Sequence, residues 1–158
     1  MIANYDPEKT AGDCVYSTED AERAIGFFRD CLTHVKGELA GQAFELEKWQ
    51  ADIIGAMFGW KRPDGTRRYR TAYIEIPRKN GKSTLCAGIA LYMLFADGEA
   101  GAEIYSCAAE REQASIVFDV AAQMVANEPI LRGHSKTFRK AIARESTASS
   151  YKVLSADA

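Results

Sequence analysis

Residues 70–84 read RTAYIEIPRKNGKST, and this stretch decides the fold. Residues 70–76 are rich in β-branched and aromatic side chains, which predicts a β-strand. Residues 85–96 are an apolar run with no charge before Asp97, which predicts a helix buried on every side. A short polar loop joins the two. A strand, a polar loop and a buried helix in succession are typical of an α/β fold, with the helix packed on a sheet.

The loop between strand and helix contains Gly81, Lys82, Ser83 and Thr84. These residue types suit a triphosphate, because glycine lets backbone amides approach the phosphates, lysine reaches the β- and γ-phosphates and a hydroxyl binds Mg²⁺. The match to the Walker A pattern, G-x-x-x-x-G-K-[ST], is incomplete, since Ile76 stands at the first glycine position. The sequence predicts a phosphate-binding loop, and a plain surface turn is the alternative.

The rest of the chain continues the α/β pattern. Amphipathic periodicity and turn residues predict three more helices and two more strands, the helices at 18–36, 46–58 and 111–127 and the strands at 102–107 and 151–154. Two helices thus precede a strand–helix–strand–helix–strand order. This order predicts a parallel sheet flanked by helices.

Composition excludes several classes of protein. The chain has 158 residues, and its 20 basic and 22 acidic residues give a net charge of −2. Its four cysteines have no C-x-x-C spacing, which predicts free thiols in a reducing compartment and no zinc site. The longest apolar run is shorter than the roughly 20 residues that span a bilayer. The first residues lack the pattern of a secretion signal. We therefore expect a soluble intracellular protein.

Positive charge is concentrated in two blocks. Residues 61–82 carry eight basic and two acidic side chains, and residues 132–144 carry five basic and no acidic ones. Such blocks suit the phosphates of DNA. The alternatives are a solvated face for the first block and a subunit contact or a loop for the second.

A longer set of motifs resembles a known family. IPRKNGKST at 76–84 is followed by the apolar run, DGE at 97–99, AEIY at 102–105 and REQA at 111–114. Together they resemble the ATPase domain of the large terminase subunit of tailed bacteriophages, over roughly residues 44–158. The loop of that family has the form P-R-x-x-G-K-[ST] and also lacks the leading glycine. The resemblance implies a P-loop NTPase fold that uses ATP and Mg²⁺.

The resemblance also implies roles for individual residues. Gln50 corresponds to a glutamine that binds adenine, and Arg78 to an arginine that senses or stabilises the γ-phosphate. Without the resemblance, Gln50 would be read as a solvated helix residue and Arg78 as the partner of a carboxylate. Arg139 and Arg144 are candidates for an arginine that acts on a neighbouring subunit. The predicted nucleotide-binding set is Gln50, Arg78, Lys79, Asn80, Gly81, Lys82, Ser83 and Thr84, with Lys82 and Arg78 catalytic and Ser83 on Mg²⁺.

The expected organisation follows from the same resemblance. Residues 1–42 are predicted to be an N-terminal helical segment, and 43–158 the first portion of the ATPase domain. The acidic Walker B segment and a nuclease domain are expected to lie outside this chain, so we expect the fragment to be inactive. The intact protein would be an ATPase and nuclease of the host cytoplasm that packages DNA into capsids.

The expected partners are double-stranded DNA, the portal, the small terminase subunit and copies of the chain in a ring, with no membrane. Three other interpretations remain open on the residues alone. They are a helicase-like domain, a small-molecule phosphotransferase, and a DNA-binding or assembly module that does not hydrolyse nucleotide.

Overall fold

The computed structural model describes residues 5–108 and 111–155. The helices in this part are α1 (Thr18–Cys31), α2 (Lys48–Gly59), α3 (Lys82–Phe95), α4 (Arg111–Asn127) and α5 (Pro129–Gly133). The strands are β1 (Val15–Tyr16), β2 (Trp60–Lys61), β3 (Glu103–Ala108), β4 (Lys136–Phe138), β5 (Ala141–Arg144) and β6 (Ser149–Ser155). All four long helices predicted from the sequence are confirmed, although α1 ends five residues earlier than predicted. Within the described residues, no helix is long and apolar enough to cross a membrane.

The main sheet has four strands in the order β3-β6-β5-β4. Strand β6 runs parallel to β3, in a register from Glu103↔Ser150 to Ala108↔Ser155. Strands β4 and β5 form an antiparallel hairpin, and β5 is antiparallel to β6. The α/β class and the strands at 102–107 and 151–154 are confirmed. The sheet is mixed, however, because the basic stretch 136–144 folds as a hairpin on its edge.

The prediction of a strand at residues 70–76 is wrong. Residues 71–77 have no helix and no strand pairing, and Tyr73 is 87% exposed. A strand exists only as part of a ladder with a neighbour. The composition of 70–76 favours a strand, but no described segment pairs with it.

Helix α3 lies at the centre of the core. Its buried side chains cover most of the helix circumference: Leu85, Ala87, Ala90, Leu91, Tyr92 and Leu94. The prediction that the helix is buried on every side is wrong for one face, where Cys86 is exposed and Ile89 and Met93 are only partly buried. It packs against α1, α4, β3 and β6. The buried side chains form one cluster that extends from Ala24 in α1 to Tyr151 in β6. The division of the chain at residues 42 and 43 stays a prediction.

Helices α1 and α3 approach closely at Gly88. A Cβ atom at this position would lie 2.2 Å from Cε1 of Phe28, whose side chain is fully buried. A buried ring has little room to move aside in a close-packed core. Glycine at position 88 is therefore required for the packing distance between the two helices.

We expect Gly88→Ala to destabilise the protein by about 1–3 kcal/mol, although alanine is normally the better helix former. Gly133→Ala is the matched control, because a Cβ at that helical position meets no atom within 4 Å. It should be neutral or slightly stabilising. Urea unfolding monitored by circular dichroism measures both. Equal stability of the two variants would contradict the close contact.

Candidate phosphate-binding site

The loop before α3 has the backbone geometry of a tight anion cradle. Gly81 precedes the first residue of α3 and has a φ of +72°, which suits glycine because it has no Cβ. Lys79 has a φ of +68°, a left-handed conformation that costs a residue with a side chain roughly 1–2 kcal/mol. Such strain concentrates at functional sites. Two left-handed residues thus curl the loop immediately before the helix.

The Lys82 side chain closes the loop. Its Nζ donates a hydrogen bond to the carbonyl oxygen of Ile76, at 2.5 Å, and the residue remains exposed. The Asn80 side-chain amide donates to the carbonyl oxygen of Pro77, at 3.3 Å. The Lys82 side chain thus reaches back across the loop from the first residue of α3 to Ile76, the position where the general motif has its first glycine. It is available to an anion that enters the loop from solvent.

The start of α3 supplies backbone donors. The amide of Leu85 donates to the carbonyl oxygen of Gly81, which closes the first helical turn. The amides of Lys82, Ser83 and Thr84 precede that turn and have no carbonyl acceptor within the helix. Their N–H groups point out of the N-terminus of the helix, which is the positive end of its dipole. Together with the exposed Lys82 ammonium they suit an anion, and the neighbouring Ser83 is half-buried.

The Cys86 thiol follows on the second turn of α3, at an exposed position. Desolvation by the surrounding side chains raises the pKa of Cys86, and the nearby charge of Lys82 acts in the opposite direction. Because desolvation has the larger effect, the thiol stays protonated at neutral pH. It therefore adds no negative charge beside the phosphate loop.

Gln50 lies beside the loop. It is only 6% exposed, and its Nε2 is 3.9 Å from the position that a Cβ on Gly81 would occupy. Its Oε1 accepts a hydrogen bond from the amide of Glu47 at 2.9 Å, as part of a capping box at the start of α2. The structure thus brings Gln50 to the loop. Its oxygen accepts from Glu47, and its nitrogen is the atom nearer to Gly81. The Glu-x-x-Gln spacing carried the signal for this cap, but sequence analysis missed it.

The candidate arginines differ in their surroundings. Arg78 and Lys79 are exposed, and neither forms an ion pair within the described residues. Arg144 donates through Nη1 to the carbonyl oxygen of Phe95, at 2.8 Å, and stacks on the Phe95 ring. Arg144 therefore caps the far end of α3, whereas Arg139 is exposed in the β4–β5 turn.

Much of the first basic block is used inside the protein. Lys61 Nζ lies 3.4 Å from Oδ2 of Asp20, and Arg67 is paired with Asp97. Arg68 donates to the carbonyl oxygen of Pro7 at 2.9 Å, and its guanidinium lies 4.9 Å from the centres of both the Trp60 and Tyr69 rings. The Arg68 contacts join the N-terminal turn to β2, and the two ion pairs join this region to α1 and to the end of α3. They leave little of the 67–70 run for DNA.

Comparison with known proteins decides the family. The family described as the terminase large subunit, ATPase domain, matches residues 48–158. The chain belongs to this family. Its sequence is 38% identical over 112 residues to the terminase large subunit of Enterobacteria phage HK97, and the match covers 70% of the chain and 21% of that protein. The crystal structure of the HK97 bacteriophage large terminase shares its fold, with a TM-score of 0.74 and 33% identity over 87% of this chain and 28% of that one.

The terminase family places the loop in an ATPase domain of P-loop type. It does not favour a helicase-like domain, a small-molecule phosphotransferase or a DNA-binding or assembly module that does not hydrolyse nucleotide. The chain spans about a quarter of the length of these terminase relatives.

The geometry at Gln50 makes a specific prediction about the terminase site. Gln50→Glu keeps an oxygen for the Glu47 amide but removes the amide nitrogen that faces Gly81. It should retain more stability than Gln50→Ala, which loses a cap worth about 1 kcal/mol. Both variants should lose any preference for ATP over GTP. Competition of the two nucleotides against a fluorescent ATP analogue measures the preference. An unchanged preference in Gln50→Glu would contradict a contact between the Gln50 nitrogen and adenine.

Proposed function

We propose that this chain binds ATP, with Mg²⁺, at the loop 76–84. The observation that carries the proposal is the loop geometry, in which the exposed Lys82 ammonium and the free amides of the first turn of α3 face the same short segment. A charged donor combined with a helix N-terminus binds phosphate by charge-assisted hydrogen bonds. The family to which the chain belongs supports ATP as the source of the phosphate.

Each residue of the loop has a distinct part in the proposal. Lys82 and the amides of residues 79–84 hold the phosphate oxygens, and the Ser83 hydroxyl is a ligand of Mg²⁺. Asn80 and Thr84 keep the loop and the first helical turn in shape. Gln50 contacts the adenine from the start of α2. Arg78, exposed and without an ion pair in the described chain, stabilises the charge that develops on the γ-phosphate.

For the whole protein we propose a DNA-packaging motor of the host cytoplasm. ATP hydrolysis would drive double-stranded DNA into a capsid through the portal, with the small terminase subunit and further copies of the chain in a ring. We propose a nuclease activity for the whole protein as well. Turnover needs carboxylates that bind the metal and orient water. We expect the 158 residues alone to bind nucleotide without turning it over.

Lys82→Ala should weaken binding of a fluorescent ATP analogue by at least tenfold, because a charge-assisted contact worth about 1.5–3 kcal/mol is lost. Lys36→Ala removes a positive charge from an exposed position on another part of the chain and is the control. It should bind like the wild type. Equal affinity of Lys82→Ala and Lys36→Ala would overturn the phosphate loop.

Arg78→Ala should separate binding from hydrolysis in the full-length protein. We expect nucleotide affinity within a few-fold of wild type and kcat lower by about 10²–10³, the usual loss for one donor to a developing charge. Arg70→Ala, an exposed arginine outside the loop, is the control. A steady-state phosphate-release assay measures kcat. Loss of affinity without loss of kcat would show that Arg78 acts in binding alone.

A further inference from the structure

The loop before α3 contains the one Asn-Gly pair of the sequence, Asn80 and Gly81. An asparagine can lose its side-chain amide to the backbone nitrogen of the next residue. That nitrogen gives up its proton and bonds to Cγ, and the side-chain amide group leaves as ammonia. Water then opens the resulting succinimide ring to aspartate or isoaspartate. Glycine favours the attack because it has no Cβ to hinder the approach of its nitrogen to Cγ.

The structure leaves the attacking nitrogen at this pair available. Asn80 and Gly81 are both exposed, and the Gly81 amide donates no hydrogen bond to any residue that the structure describes. The Asn80 side-chain nitrogen donates to the carbonyl oxygen of Pro77 at 3.3 Å, which is long for such a bond and involves only the group that leaves. Both the Gly81 nitrogen and water can therefore reach Cγ of Asn80.

Asn127, the last residue of α4, has the opposite surroundings. The next residue is Glu128, which has a side chain, and its amide donates to the carbonyl oxygen of Met124 at 3.1 Å. A nitrogen held in a helical hydrogen bond cannot turn toward the preceding side chain. The third asparagine, Asn4, precedes Tyr5 and lies outside the described residues. The surroundings that permit attack are thus found at one of the two described asparagines.

Two aspartates also precede glycine, Asp64 and Asp97. Aspartate forms the same ring readily only when its carboxyl group is protonated. Oδ1 of Asp64 accepts hydrogen bonds from the amide and the hydroxyl of Thr66, at 2.9 and 2.7 Å, and these bonds lower the pKa of Asp64. Asp97 is held in an ion pair with Arg67. Both carboxylates are therefore poorer targets than the neutral amide of Asn80.

We propose that Asn80 is a site of spontaneous deamidation that inactivates the phosphate loop, and that bound nucleotide protects it. The effect on ATP rests on the proposed function. Deamidation adds a carboxylate two residues before Lys82, and this negative charge repels phosphate. Isoaspartate also lengthens the backbone by one carbon atom before Gly81. The amides that follow then no longer converge on one anion.

Protection follows from the same atom that carries out the attack. In the proposed complex the Gly81 amide donates to a phosphate oxygen. A nitrogen engaged in that way is withheld from Cγ of Asn80. The empty loop therefore loses its activity with time, whereas the loaded loop keeps it.

The test incubates the full-length protein at neutral and at mildly alkaline pH and analyses its peptides by tandem mass spectrometry. We expect the mass increase of deamidation, with aspartate and isoaspartate both present, at Asn80 and not at Asn127. The rate should rise with pH, because the attacking nitrogen must lose its proton. Asn80→Gln should abolish the modification, since a longer side chain does not form the five-membered ring. An unmodified Asn80, or equal rates at Asn80 and Asn127, would overturn the proposal.

The effect on the loop is measured on the same samples with a fluorescent ATP analogue. A non-hydrolysable ATP analogue with Mg²⁺ should slow the modification of Asn80. Asn80→Asp should weaken binding by roughly tenfold or more, because it places the same charge in the loop. Asn127→Asp adds that charge at an exposed position elsewhere and should bind like the wild type.

The remaining outcomes separate the two proposals. Deamidation of Asn80 that leaves ATP affinity unchanged, or that proceeds equally fast with and without nucleotide, overturns the inactivation and protection proposed here. A failure of the phosphate loop itself is recognised in the fresh protein. In that case unmodified wild type would bind the analogue no better than Lys82→Ala.

Discussion

The burial of most of the α3 surface is the constraint on which the rest of the structure depends. The helix cannot rotate or slide without moving Leu85, Leu91 and Tyr92 out of the core. Gly88 sets its distance from α1, since the Phe28 ring occupies the space of a side chain. Arg144 fixes its last carbonyls. A helix held by these contacts points its first amides in one direction, toward the loop before it.

The restraint on α3 links distant parts of the sequence. Asp97, just after the helix, pairs with Arg67, which lies over the Phe58 ring of α2 at 5.6 Å from its centre. The N-terminal end of α2 carries Gln50 to Gly81. The segment that begins with α2 is therefore ion-paired just beyond the end of α3 and lies beside Gly81 at its start. Substitutions in α2 should therefore alter the phosphate loop.

The sequence predicted the elements that depend on local pattern. The apolar run of α3, the periodicity of α1 and α4 and the short strands β3 and β6 follow from properties of neighbouring residues. The stretch 70–76 failed as a strand because pairing depends on what lies beside it, which composition does not encode. The hairpin at 136–144 was missed because its charged residues hide the alternation that marks a strand, and only Ile142 faces the core.

The residues of the candidate site also fall into two groups, those that the local sequence predicted and those whose contacts it did not. Gly81, Lys82, Ser83 and Thr84 were found from their order in the chain, since the chemistry of a phosphate loop is local. The hydrogen-bond partners of Gln50 and Arg144 were not predicted from the sequence. Gln50 looked like a solvated helix residue apart from the family resemblance, and the structure shows it buried and hydrogen-bonded to the amide of Glu47. The net charge of a basic block also does not show which of its cations bind backbone carbonyls and which face solvent.

The central claim is that phosphate enters the loop between Ile76 and the first turn of α3. Amide chemical shifts followed by NMR during titration with Mg·ATP test it residue by residue. The account predicts the largest changes at the amides of residues 79–84, smaller ones at Gln50 and none in the hairpin. Saturable changes located elsewhere, with the amides of Gly81 and Lys82 unmoved, would contradict it.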